Sequence, residues 1–209
     1  MSERIAAVPA TQDEARILAE LNKKFVHDAR SQQLIEISYR IVDSPIGRLL
    51  LASTEAGLVR VAFETEGHER ILEALAHKVG PRILKDDRSL DDAARQLDQY
   101  FSGTLQEFSL PLDLRLSTEF RRQVQLELGH IAYGQTQSYA QVAEHIGKPK
   151  AVRAVGSACA TNPLPIVLPC HRVLRTDGSL GGYLGGLGIK TRLLKLENPD
   201  FDGGEATLF

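Results

Sequence analysis

The 209-residue chain has no tryptophan, one methionine and only two cysteines, Cys159 and Cys170. So few thiols exclude the disulfide framework of a small secreted domain and point to a reducing compartment, where a thiol stays free for chemistry. Five of the six histidines, His27, His68, His77, His130 and His145, are scattered without the paired spacing of zinc ligands, so no metal and no other cofactor is expected. No stretch approaches the roughly eighteen uninterrupted apolar residues that a membrane helix needs, and the polar opening MSERIAAVPATQDE lacks a secretory pattern. A cytoplasmic location without a membrane partner is the default expectation. Internal repeats and low-complexity tracts are also missing, apart from the glycine-biased GSLGGYLGGLG of residues 178–188.

A large charge of either sign is missing too, since the net charge is −2. Charge is nevertheless segregated along the chain: residues 1–117 carry −4, residues 118–198 carry +5 and residues 199–209 carry −3. The basic segment can bind phosphates while the whole protein stays mildly acidic, because physiological salt cuts the reach of exposed charges to about 8–10 Å.

The pattern of apolar residues divides the chain into four parts. Ile17, Leu18, Leu21, Phe25 and Val26 follow a Thr11/Glu14 capping box at helical spacing, so residues 1–34 read as a helical extension, packed on the core or touching another copy. In residues 35–116 the period changes to two. Ile35, Ile37, Tyr39 and Ile41 lead through a Ser44-Pro45-Ile46-Gly47 turn to GRLLLAST and then, past Glu55-Ala56-Gly57, to GLVRVAF. Three short strands joined by tight turns predict an antiparallel meander. The helical stretches HERILEALAHKV and SLDDAARQLDQYF complete a small scaffold domain, and the Pro-interrupted EFSLPLDLRLS reads as a connection carrying a short strand. Residues 117–198 predict a mostly helical second domain. Its Ser138-Tyr139-Ala140-Gln141 capping box opens a short helix that stops at Gly147, and Pro149 starts another in KPKAVRAVGSACA, which gives a helix-turn-helix outline. Residues 199–209 form an acidic tail. The fold class expected is α+β.

The chemistry concentrates at PIVLPCHRVL, where a strand-like apolar run and Pro169 lead to Cys170 and then His171. A free thiol with an ordinary pKa of about 8.5 is only a few per cent thiolate at neutral pH, so a nucleophilic cysteine needs an adjacent base or cation, and His171 with Arg172 is one local supply. The plain alternative is an inert buried cysteine. For Cys159, among small residues on a predicted helix, packing is the better reading.

Five ordered strings, YGQTQSYAQVA, KAVRAVGSA, NPLPIVLPCHRVL, GSLGGYLGGLGIK and LLKLE, carry a resemblance to a known family. Residues 44–63 and 120–197 resemble the O6-alkylguanine-DNA alkyltransferases, also called methylated-DNA protein-cysteine methyltransferases. The resemblance implies a ribonuclease-H-like first domain and repair of duplex DNA by irreversible, single-turnover transfer of an alkyl group from O6 of a flipped guanine to Cys170. It makes His171 the base, acting through a water, and Glu197 the carboxylate that orients it; read alone, Glu197 is a charge near a helix end. Arg153 takes the place of the flipped nucleotide from the minor groove, beside the small residues Ala151, Ala154, Gly156 and Ser157, which permit close approach. Tyr139 contacts guanine and phosphate, Asn162 is the hinge, the carbonyls of Cys170 and Val173 accept from the guanine amino group, and Tyr183, Leu184, Gly185, Gly186 and Lys190 wall the pocket. Tyr139 and Lys190 would also help neutralise the departing guanine. Binding is expected to be independent of DNA sequence, by a monomer capable of cooperative assembly on DNA.

Leu184 and Val152 depart from the smaller residues common at those positions, which bears on large alkyl groups and on the groove fit respectively. Two rival readings have other consequences: a cysteine hydrolase would turn over many times, and a DNA-binding regulator of this family would carry an amino-terminal cysteine-rich metal module, for which no cysteine precedes Cys159.

Overall fold

The computed structural model describes residues 12–32 and 34–202. Thr11, half of the expected first capping box, lies outside them, as do residues 203–209 of the acidic tail. Helix α1 (Gln12–Ser31) leaves Ile17, Leu21 and Phe25 more than half exposed and buries Ala29 near its end. None of the described helices is long and apolar enough to cross a membrane.

Strands β1 (Ile37–Val42), β2 (Leu49–Thr54) and β3 (Gly57–Phe63) form the expected antiparallel meander. A fourth strand that the sequence pattern did not reveal, β4 (Ile83–Lys85), follows helix α2 (His68–Lys78) and pairs parallel to β1, so the sheet is mixed, in the order β3-β2-β1-β4. Three residues are too few to show a period of two. The sheet is covered on both faces. On β2, Leu50 and Ala52 point to the α2 side with Ile37 and Leu75, while Leu49 and Leu51 point to the other side. The register of β3 shifts opposite Ala52 and Ser53, and this bulge resets the alternation so that Leu58, Val61 and Phe63 share one face although their spacing is not strictly two.

That second face is where the two halves of the chain meet. Leu90, Ala93, Leu97 and Tyr100 of the segment leading into and along α3 (Asp91–Phe101) pack there with Leu164, Ile166, Val167, Leu168 and Leu193 from the second half, as one core. EFSLPLDLRLS forms no strand; Leu112 makes an isolated bridge to Leu58 at the β3 edge. The second half holds α4 (Glu119–Gly129), the two-residue β5 (Gln137–Ser138), α5 (Tyr139–His145), α6 (Val152–Ala160), β6 (Val173–Leu174) and α7 (Leu187–Glu197). The Ser138 capping box closes as read, with Ser138 Oγ accepting from the Gln141 amide and Gln141 Oε1 accepting from the Ser138 amide. Pro149 opens a 3-10 turn (Pro149–Ala151) ahead of α6. Helices α4, α5 and α6 pack around Val124, Leu128, Val142, Val155 and Cys159.

Gly57, at φ +137°, starts β3 beneath the carbonyl of Pro111, into which any Cβ would collide. Gly57→Ala is therefore expected to lower stability by more than about 2 kcal/mol in urea unfolding, since both backbone conformation and contact oppose it.

Candidate active site

Cys170, His171 and Arg172 form a single 3-10 turn, and all three are buried. The run before them is not a strand. Residues 164–168 are a buried loop in which Ile166 takes φ +75°, a left-handed conformation costly for a β-branched residue, at about 1–3 kcal/mol. The run is apolar because it is clamped between the sheet and α7, not because it pairs. Asn162 holds the loop's ends: its Nδ2 donates to the Leu168 carbonyl at 2.8 Å and its Oδ1 accepts from the Leu164 amide at 3.1 Å. The free edge of β3 anchors it from outside, with the Val61 amide donating to the Pro163 carbonyl at 2.9 Å and Arg60, ion-paired to Glu66, reaching the Asn162 carbonyl.

His171 Nε2 donates to Glu197 Oε1 at 2.7 Å, with both side chains almost wholly buried. This bond leaves Nδ1 as the unprotonated nitrogen, and Nδ1 is buried with no hydrogen-bond partner. Glu197 gathers four further donations, from Tyr100 Oη (2.7 Å), Arg172 Nε (2.8 Å), Arg172 Nη2 (2.9 Å) and the Gly134 amide (3.3 Å). Burial alone would raise the Glu197 carboxyl, but the hydrogen bond from His171 and the hydrogen bonds and charge of Arg172 outweigh it and hold the group at about 2. Burial lowers the pKa of His171 despite its bond to Glu197, so a neutral imidazole stands ready as a base.

The thiol differs from its expected condition. Burial pushes Cys170 up to about 11, against the pull of the Asn162 side chain and the Lys190 ammonium, so the resting cysteine is protonated. Arg172, read as part of the local positive charge, is instead turned onto Glu197 and the Ile131 carbonyl, and the nearby cation is Lys190. Lys190 is fully buried, donates to the Val173 carbonyl at 2.6 Å, and is lowered by burial to about 8. The two carbonyls expected to receive a guanine amino group each already accept one proton: Cys170 from the Val173 amide and Val173 from Lys190. A carbonyl oxygen has a second lone pair for another donor.

Around this centre, Tyr139 lies half-buried at the start of α5 against Gly156 and Gly181; a Cβ on Gly181 would strike its hydroxyl. The Tyr183 ring meets Phe63 edge-on at 5.7 Å and His171 at 6.4 Å, and its hydroxyl is buried without a partner. Gly185 fits beneath Phe63, 3.0 Å from where a Cβ would stand, and Gly186, at φ +87°, caps α7. Leu184 packs into the shared core and lines a groove with Arg60, Thr161 and Pro163. On α6, Arg153, Ala154 and Ser157 are exposed, with Ala151 and Gly156 half-buried beside them, while Val152 leans on the helical core. Cys159 is buried in that core, as its surroundings suggested. The reading of the sequence missed Tyr100, Arg172 and Gly134 as partners of Glu197, and Phe63 behind the glycine-rich loop. Tyr100 had one signal, a phenol within an otherwise apolar stripe, whose hydroxyl needs a partner once buried.

A buried cysteine adjoins a histidine bonded to a buried carboxylate, and α6 presents an exposed arginine among small residues. Residues 119–199 match the family model for the 6-O-methylguanine DNA methyltransferase DNA binding domain, and residues 37–114 match that family's ribonuclease-like domain. The chain is 45% identical over 159 residues to the methylated-DNA–protein-cysteine methyltransferase of Methanosarcina barkeri, covering 76% of this chain and 96% of that one. It is 45% identical over 161 residues to that of Mycolicibacterium paratuberculosis, covering 77% and 92% respectively. Two crystal structures are similar. One, the O6-methylguanine methyltransferase of Mycobacterium tuberculosis, has a TM-score of 0.69 at 40% identity; the other, Mycobacterium tuberculosis OGT in complex with DNA, has 0.66 at 39%. Each covers 78% of this chain and 93% of the other. The chain belongs to the methylated-DNA–protein-cysteine methyltransferase family.

Two titrations check the electrostatics. In the free protein the Cys170 thiolate, followed by its ultraviolet absorbance, is expected to appear well above pH 9, toward about 11, and the step should vanish in Cys170→Ser. Glu197 has its folded pKa depressed from 4.5 to about 2, so its stabilising share is complete above about 4.5 and is lost as pH falls through 2. Urea unfolding across that window should give a steeper loss of stability for the wild type than for Glu197→Gln, which starts less stable because Arg172 is left buried and unpaired.

Proposed function

We propose that this protein repairs O6-alkylguanine in duplex DNA by direct reversal, with Cys170 as the acceptor, consumed in one turnover. The observation that carries the reading is the His171–Glu197 bond, which frees a buried Nδ1 lone pair on the residue next to a buried thiol. Residues 35–116 act as the scaffold domain and residues 117–198 as the acceptor and DNA-binding domain.

Duplex DNA of any sequence docks through its minor groove on α6 and the turn before it, where Ala151, Ala154, Gly156 and Ser157 allow close approach and Arg153 fills the gap left by the extruded base. Flipping costs a few kcal/mol, least for a lesion that pairs badly. Tyr139 meets the base and its phosphate, Asn162 fixes the hinge, and Tyr183, Leu184, Gly185 and Gly186 belong to the wall around the base.

The Cys170 thiol gives up its proton only when the imidazole can take it. The Cys170 proton passes to His171 Nδ1, through one water, and Glu197 stabilises the imidazolium. The thiolate attacks the alkyl carbon in line; the S–C bond forms, the C–O6 bond breaks, and its electron pair stays on the guanine. Lys190 and Tyr139 offset that charge until the guanine is protonated, so that in net terms the thiol proton ends on guanine and the alkyl group on sulfur. Water does not readily cleave a thioether, hence the single turnover, and no cofactor enters the balance. A monomer suffices for the chemistry, with cooperative assembly on DNA compatible with it, and the cytoplasm supplies both DNA and reduced thiols.

The test is intact mass spectrometry after incubation with duplex oligonucleotide containing O6-methylguanine. The wild type should gain one methyl group, located on the Cys170 peptide, and Cys170→Ser should gain none; repeated turnover without modification would instead favour a hydrolase.

A further inference from the structure

Tyr100 carries a polar group from the scaffold half of the chain into the active centre. Tyr100 sits on α3, is fully buried, and its hydroxyl donates to Glu197 Oε1 at 2.7 Å, the same oxygen that His171 Nε2 meets at 2.7 Å. The hydroxyl also lies 3.5 Å from Nε2 itself. Its aim is fixed by an aromatic cage: Phe101 and Phe108 have ring centroids 5.4 Å away, and Tyr133 stands edge-on at 6.2 Å. Of the cage residues Tyr133 also has a hydroxyl, but it donates to the Leu196 carbonyl at 3.1 Å.

We infer that Tyr100 is a positioning residue for alkyl transfer, which shares Glu197 Oε1 with His171 and so tunes how strongly the carboxylate holds the imidazolium. The inference rests on the reaction proposed above. An oxygen that accepts from both a phenol and an imidazole has its negative charge spread over two donors, so it attracts the imidazolium less and is a poorer proton acceptor than one facing imidazole alone. Tyr100 thereby keeps the proton on Nε2, keeps Glu197 ionised, and leaves His171 neutral down to lower pH, where Nδ1 can still act as base. The other charged or titratable groups near Glu197 and His171 are Arg172 on the acceptor turn, Tyr133 after α4, Tyr183 in the glycine-rich loop and Lys190 on α7. None of them donates to Oε1 from the scaffold half; Arg172 Nη2, which also reaches Oε1, comes from the second half. Because α3 belongs to the first half, the sheet domain completes the proton relay as well as supporting it.

The experiment measures single-turnover methyl transfer from O6-methylguanine duplex across pH for wild type, Tyr100→Phe and Tyr133→Phe. Tyr100→Phe keeps the ring in its cage and removes only the hydroxyl. On the acid side of the profile its transfer rate should fall on the order of tenfold, the effect of about one pKa unit at His171, which is the size of one hydrogen bond to a charged group. The acid limb of its profile should move to higher pH, because a less shared carboxylate raises the pKa of His171. Tyr133→Phe should keep the wild-type limb. A Tyr100→Phe profile that superimposes on the wild type after scaling would overturn the inference, since a packing defect slows the reaction equally at every pH. Failure of the wild type to take up methyl would refute the reaction itself, a separate result. Should Tyr100→Phe not fold, 3-fluorotyrosine placed at position 100 gives the converse reading: its more acidic hydroxyl donates more strongly and should move the acid limb to lower pH, and an unmoved limb would again overturn the inference.

Discussion

A single buried carboxylate organises this molecule. Glu197, at the last turn of α7, accepts from His171 and Arg172 on the acceptor turn, from Gly134 after α4 and from Tyr100 on α3. An ionised carboxylate removed from water is costly unless nearly every lone pair is used, so the four segments are held to one arrangement by the requirement that none of those donors be lost. Cys170, the proposed acceptor, inherits its position from that constraint, being the first residue of the turn whose second and third residues are bound to Glu197.

The same constraint ties the two halves of the chain together. Tyr100 enters from the sheet side through the apolar core that also takes in Leu164, Ile166 and Leu168, so the loop before Cys170 is packed from one side and hydrogen-bonded by the β3 edge from the other. The left-handed Ile166 persists because packing and the Asn162 bonds leave it no alternative. With the loop fixed, a protonated thiol beside a neutral imidazole is a stable resting pair.

Much of the site was legible as residue identity, and less of it as geometry. Cys170 and His171 stood out because a thiol followed by an imidazole after a proline is a local pattern, and Ser138-Tyr139-Ala140-Gln141 declared its helix start through side chains that bond within one turn. Arg172 was misread for the same reason: adjacency suggested that its charge serves the thiol, while its long side chain turns to Glu197, twenty-five residues on. The helical pattern of SLDDAARQLDQYF does not show where the Tyr100 hydroxyl goes, and β4 was too short to show its alternation.

By itself, the sequence determined the three-strand meander and most of the helices, that the second half is basic, and that one cysteine has a base beside it, because periodicity, capping and nearest-neighbour chemistry all act within a few residues. Only the tertiary structure decided that Glu197 is ionised and buried rather than solvated, that Cys170 rests as a thiol, and that Tyr100 and Phe63 of the first half reach the site of the second. Desolvation and hydrogen bonds between segments up to 102 residues apart depend on which surfaces close over one another, and that closure is a property of the packed core.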